Sequence, residues 1–421
     1  MIMINTFLLV ALVFCVGLGS AQPSAAEFNL FCRILAEAND MMYGPGYVYD
    51  ENADRDIVKE MEVLYNATTA NMKDFGNSLW DTKEFLKEHP PPMNPQNRED
   101  AHREIDKLIK EGEKKIEENK KIAEGVNKEI NSAKLSVAQG IFGDEVKELP
   151  KQDGNLTKIL NNTGSIFNHH ESPSQSCGDG NKETGKTLLN DFFCVCVGDG
   201  DKESAGPCSP HILPSKHGNE SNGGWKKMKI KSGEAFQFNE SFKHIEKVCT
   251  EELVVEKQPI KNMDALLDEY VGMIGAGPAK EANGNKIFGH RGRGRGHDNA
   301  NKVTKCDGTG STGDYDKADY HNENICVDYT NHTQDGINYN IPWHNKFKSY
   351  TDFMKEAKKL EDQILKNRAA LLLLKTEAWL AYSREKDDET SNLDDMNISN
   401  LLDGTQLPSF SLLLSYLSIF F

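Results

Sequence analysis

The chain has 421 residues, enough for one large or two ordinary domains, and a formal net charge of −16. That acidic balance excludes a general binder of nucleic acid or of anionic membranes. A hydrophobic content of 38% is low for a compact enzyme and suits an elongated, surface-rich molecule.

The first element is a leader. Residues Phe7 to Leu18 form an apolar run of 12, and Gly19-Ser20-Ala21 supplies the small residues a signal peptidase reads. A signal peptide over 1–21 is predicted, cleaved after Ala21, with Ala26 as second choice. Its n-region carries only the α-amino charge. An uncleaved membrane anchor is the alternative, and the shortness of the run argues against it.

Four helices follow from periodicity. In "EFNLFCRILAEANDMM" Phe28, Phe31, Leu35, Ala38 and Met42 recur at steps of three and four, and Gly44-Pro45-Gly46 ends the helix. A second helix is predicted from about Asp54 to Leu86, along Ile57, Met61, Leu64, Thr68, Met72, Phe75 and Leu79. "HPPPMNP", His89 to Pro95, stops it, because proline cannot continue a helix interior. The third and longest begins at Arg98. Ala101, Ile105, Leu108, Gly112, Ile116, Asn119, Ile122, Val126, Ile130, Ala133, Val137 and Ile141 form one narrow stripe among Lys and Glu. Such a stripe suits a coiled-coil seam, and the proline break suits an antiparallel hairpin with the second helix.

Residues 150–340 are rich in Gly, Asn, Ser and Asp and read as an irregular inserted head. Helical periodicity there is brief, as in Asn262 to Ile274. Such a region is expected to bury little core and to rely on disulfides. The chain has nine cysteines, and Cys15 leaves with the signal. Cys32, Cys177, Cys194, Cys196, Cys208, Cys249, Cys306 and Cys326 remain, an even set that in an exported chain predicts four disulfides of open connectivity. Cys194-Val195-Cys196 is not CxxC and gives no zinc spacing. Asn-x-Ser/Thr occurs at Asn66, Asn155, Asn161, Asn219, Asn239, Asn331 and Asn397, and an export signal makes these N-glycosylation candidates.

The fourth helix is predicted from about Asn345 to Glu385, with "AALLLLKTEAWLAY" as its most buried part. A polar, acidic linker follows over 386–403. The chain then ends on "SFSLLLSYLSIFF", too short to span a bilayer as a helix. Small residues, a polar spacer and a terminal apolar run form a glycosylphosphatidylinositol (GPI) attachment signal over 404–421. The predicted attachment residue is Asp403, with Gly404, Asn397, Ser399 and Asn400 as alternatives. In that reading the tail is removed and the mature chain has no transmembrane helix.

Motifs for chemistry are thin. "GHRGRGRGH", Gly289 to His297, alternates Arg and Gly without aromatics and reads as an exposed basic loop rather than an RNA-binding element. His290 with His297, and His169 with His170, read as surface positions rather than ligand pairs. "GNKETGKT", Gly180 to Thr187, formally matches a phosphate loop, but no buried strand precedes it. No metalloprotease, hydrolase or dinucleotide fingerprint occurs, so neither catalytic activity nor a cofactor is predicted.

Taken together, the signal, the "FNLFCRILAEAND" helix with Cys32, the helical hairpin, the Cys-rich insert and the tail resemble a variant surface glycoprotein of African trypanosomes. The layout looks closest to its type-B N-terminal domains, over 22–385. No cysteine follows Cys326, which fits a branch with only a short C-terminal linker. The resemblance implies a mainly α fold: an elongated antiparallel coiled-coil bundle with a disulfide-stapled head. It also implies a homodimeric coat protein on the outer leaflet, held by a GPI lipid, packed beside neighbouring coat molecules, meeting host antibodies and varying antigenically. A GPI-anchored receptor for a host serum protein on the same scaffold is the alternative.

Overall fold

The computed structural model describes residues 25–69, 85–151, 155–169, 173–178, 184–196, 242–243, 245–249, 262–275, 286–289, 306, 326–333 and 338–384. They are mainly helical. In chain order the elements are α1 (Ala25–Tyr43), α2 (Glu51–Ala67), α3 (Pro95–Phe142), α4 (Asn155–Asn161), α5 (Thr163–Ile166), α6 (Pro173–Cys177), α7 (Leu188–Cys196), α8 (Met263–Met273), β1 (Ile287–Phe288), β2 (Val327–Asp328) and α9 (Pro342–Ser383). The chain divides into two compact units, Met1–Gly44 with Ser132–Thr351, and Pro45–Asn131 with Asp352–Phe421.

The second unit is built from α2 and from parts of α3 and α9. Asp50 caps α2, its side chain accepting from the Ala53 N–H at 3.1 Å. Acidic Glu51 and Asp54 in the first turn suit the helix dipole. α2 stops at Ala67, earlier than its periodicity predicts. Thr68 caps it, and the Thr68 hydroxyl donates back to the Tyr65 carbonyl at 2.8 Å. A β-branched Thr-Thr pair with its own backbone bond competes with helix. Met72, Phe75 and Leu79 of the predicted helix lie outside the described residues. α3 starts at Pro95, where the missing N–H costs nothing, and Asn94 Oδ1 accepts from the Gln96 N–H at 2.9 Å.

Ile57, Met61 and Leu64 of α2, Ile105, Leu108 and Ile116 of α3, and Leu371, Leu374 and Ala378 of α9 make one core. A second joins Ala123, Val126 and Ile130 to Ala357 and Ile364. Each buried Leu or Ile contributes roughly 2 kcal/mol by leaving water. The helices α3 and α9 run antiparallel: Leu360 meets Gly125, Asn367 meets Asn119 and Leu371 meets Gly112. Gly112 is small for a reason. A Cβ there would stand 3.1 Å from both the Met61 and Val58 side chains.

In the first unit, α3 ends at Gly143. Its φ is +98°, and its N–H donates to the Gln139 carbonyl at 2.8 Å. A Cβ at Gly143 would sit 2.2 Å from the Ser165 carbonyl oxygen. α1, the end of α3, α7, α8 and the start of α9 enclose a large apolar core with Phe31, Phe192, Phe193, Tyr270, Phe288, Trp343 and Phe347. β1 and β2 pair antiparallel, Ile287 opposite Asp328 and Phe288 opposite Val327. The expectation that 150–340 buries little core is therefore corrected. That segment borrows α1, α3 and α9 as walls, so its few apolar stretches are enough.

Disulfides join Cys32 to Cys249, Cys177 to Cys194 and Cys306 to Cys326. Cys196 is disulfide-bonded as well.

Candidate functional site

The densest polar chemistry of the first unit surrounds Asp191 on α7. The sequence gives "LLNDFFCVC", one acid in an apolar run, and the whole helix is buried. Three donors converge on the Asp191 carboxyl. Trp343 Nε1–H reaches Oδ2 at 2.6 Å, Asn190 Nδ2–H reaches Oδ1 at 3.0 Å, and the Tyr329 hydroxyl donates to Oδ2. With its proton given to Asp191, Tyr329 accepts from the Tyr270 hydroxyl, 2.7 Å away. Phe31, Phe288 and Trp343 close around Tyr270, the Phe288 ring stacked at 4.1 Å.

Burial pushes the Asp191 carboxyl up, against its three donors. Burial and the neighbouring Asp191 hold the Tyr270 and Tyr329 phenols well above their ordinary range. Raised acids often mark an active site. Here Asp191, Tyr270 and Tyr329 are all 0% exposed, so no substrate reaches them. This is a sealed polar key. It fixes how α7, α8 and α9 meet, because each donor must find its acceptor.

The phosphate-loop match has internal uses instead. Lys186 Nζ donates to the Gly164 carbonyl at 2.6 Å, and the Thr187 hydroxyl donates to the Ile166 carbonyl at 2.8 Å. Thr187 Oγ1 also accepts from the Asn190 N–H at 3.0 Å, capping α7. His169 is half-buried, its backbone bonded to the Ser176 hydroxyl, while His170, His290 and His297 lie outside the described residues. Among the described residues no group of three or more His, Cys, Asp or Glu could hold a metal ion.

Of the sequons, Asn66 is exposed on the last turn of α2, Asn161 at the end of α4, and Asn331 in the 3-10 turn Thr330–His332. Their hydroxyl residues are not free. Thr68 is 1% exposed and Thr163 6% exposed, and Thr333 Oγ1 donates to the Thr330 carbonyl at 3.1 Å. Asn219, Asn239 and Asn397, the side chain of Asn155, Cys208 and the attachment candidates Asp403, Gly404, Ser399 and Asn400 lie outside the described residues. No described helix is long and apolar enough to cross a membrane.

A family model described as the trypanosomal VSG domain matches residues 20–371. The chain belongs to that family. As a VSG-family chain it is not an enzyme. No curated protein matches it. The VSG match takes in both seams of α9 up to Leu371, all the described disulfides and the Asp191 key.

The Asp191 key was legible in part. A lone acid between leucines and phenylalanines signals a satisfied buried carboxyl, yet nothing local names Tyr329 or Trp343, 138 and 152 residues away, as its donors.

Proposed function

We propose that this VSG-family chain is a GPI-anchored surface coat glycoprotein that shields the parasite plasma membrane and varies antigenically. The single observation that carries this is the family match over most of the chain. In this reading residues 1–21 leave on export, and the lipid joins Asp403 as 404–421 is removed. Homodimers stand beside neighbouring coat molecules and meet host antibodies. A polar centre closed to solvent and acceptor asparagines on the outside suit a shield better than a binder of small molecules. The sequon hydroxyls are engaged in the fold, so glycan transfer is read as preceding folding.

The test is phosphatidylinositol-specific phospholipase on intact cells, with quantitation of the released chain. Abundant release is expected. Retention in the membrane defeats the anchor. Scarce release that carries one stoichiometric serum protein points to the receptor alternative.

A further inference from the structure

Asn66-Ala67-Thr68 forms the last turn of α2 and its cap. Asn66 is exposed, while Ala67 and Thr68 are buried. The Thr68 hydroxyl gives its one proton to the Tyr65 carbonyl at 2.8 Å. His102 of α3 reaches the same place. Its Nδ1 lies 3.1 Å from that carbonyl and 3.1 Å from Thr68 Oγ1. A carbonyl only accepts, so Nδ1 carries a proton, and Thr68 Oγ1 accepts it through a lone pair. The His102 ring also stacks on the Tyr65 ring, centroids 3.9 Å apart and planes 21° from parallel. Its neighbours Ala101 and Ile105 make the apolar seam, so His102 adds a specific bond where burial alone needs none. The acceptor motif requires Ser or Thr two residues after Asn, so the transferring enzyme reads that hydroxyl. In the folded chain the hydroxyl is engaged and the Asn66 backbone is helical.

We propose that His102 is the latch that closes Asn66 to glycan transfer, leaving this acceptor filled in only part of the exported chains. The proposal rests on the export reading, because transfer takes place in the secretory lumen. The step joins Asn66 Nδ2 to the anomeric carbon of a lipid-diphosphate-linked oligosaccharide. Nδ2 gives up a proton, and the lipid diphosphate leaves with the electron pair of the broken C–O bond. Transfer must come before the latch closes. His102 follows Thr68 by 34 residues, a delay of roughly 2–7 s at the usual pace of synthesis. The contact is local in the chain, so it closes early once His102 arrives. Asn331 offers the contrast. Thr333 Oγ1 is held too, by Lys286 Nζ at 2.9 Å and by the Thr330 carbonyl. That turn lies just past Cys326, however, whose bridge to Cys306 belongs to a class that forms in seconds to hours. Asn331 therefore stays open longer than Asn66.

The test measures glycan occupancy at both sites in the full exported chain, by enzymatic deglycosylation in heavy-oxygen water and mass spectrometry of the peptides. The wild type is expected to be partly filled at Asn66 and fuller at Asn331. His102→Ala is expected to cut the unfilled share at Asn66 by about twofold or more, with Asn331 unchanged. His102→Asn, which keeps an N–H near the position of Nδ1, is expected to stay close to the wild type. Complete filling of Asn66 in the wild type overturns the latch, and so does equal occupancy there in the wild type and His102→Ala. A rise at both sites alike shows generally slower folding and overturns the specific role of His102. Glycan at Asn331 with none at Asn66 in either chain overturns the latch and leaves export standing. A chain without glycan at any sequon defeats the export reading and the latch with it.

Discussion

His344, the third residue of α9, is 1% exposed. Its Nε2 lies 3.3 Å from the Leu267 carbonyl, which can only accept, so Nε2 carries the proton. Nδ1 is buried with no partner, and a second proton there would find no acceptor. Burial first, and Lys348 second, push its pKa down from 6.5 to about 4, opposed by the Leu267 carbonyl and Asp268. Between those values the unfolded histidine binds a proton and the folded one does not. Its contribution to stability is complete above pH 6.5 and is lost as pH falls towards 4, by about 3 kcal/mol in all. His344→Gln keeps an N–H for Leu267 and removes the titration. The melting temperature of that variant is expected to fall less than that of the wild type between pH 6.5 and 4, and equal slopes would refute the assignment. Asp191 acts in the opposite sense. Its raised carboxyl favours the folded chain in acid, and that support fades as pH climbs from the ordinary carboxylate value through the raised one.

At the scale of elements, the α2–α3–α9 seam is apolar except at one level. Asp54, 0% exposed, accepts from Asn119 Nδ2 at 2.9 Å, from the Tyr49 hydroxyl at 2.7 Å and from Arg368 Nε. Asn367 Nδ2 in turn donates to Asn119 Oδ1 at 2.8 Å. A seam of leucines alone tolerates sliding by a turn. This network satisfies its donors in one register only, as a buried Asn does in coiled coils. Asp54→Ala leaves three donors facing no acceptor, with an expected loss of about 3 kcal/mol in urea unfolding. A loss below about 1 kcal/mol would mean that water reaches the site.

Much of this level was legible in the chain. The three-and-four spacing placed Gly112 and Asn119 on the seam because a helix repeats its face whatever it packs against. Pro95 and Gly143 mark the ends of α3 through backbone chemistry of their own. The end of α2 was missed because Thr68 turns on a side-chain bond that hydropathy does not register. "AALLLLKTEAWLAY" reads as the most buried part of its helix, yet Leu373 and Leu380 within it face outward. Four consecutive leucines satisfy two opposite faces at once, so periodicity says nothing about which face the same chain covers. The donors of Asp191 come from distant stretches, and no local pattern pairs them.

For the whole molecule, the disulfides differ most in the chain they enclose. Cys32 and Cys249 are 217 residues apart, and Cys177 and Cys194 only 17. On a loop-entropy basis the long bridge is worth about 5 kcal/mol and the short one about 3 kcal/mol. Replacing both cysteines of a pair by serine is expected to lower stability more for the first pair than for the second, measured by guanidinium unfolding. The reverse order would show that native contacts outweigh chain entropy. Cys196 is bonded too, and in the proposed reading, where Cys15 leaves with residues 1–21, Cys208 is the cysteine left for it. Non-reducing peptide maps are expected to contain that fourth bridge.

The long bridge has a further consequence. A protease that cuts once anywhere between Cys32 and Cys249 separates no fragment, since both pieces stay on one covalent body. Such a molecule is nicked without being divided. In the proposed coat, a single cut by a host protease between these cysteines would break the chain's continuity without opening a gap in the layer.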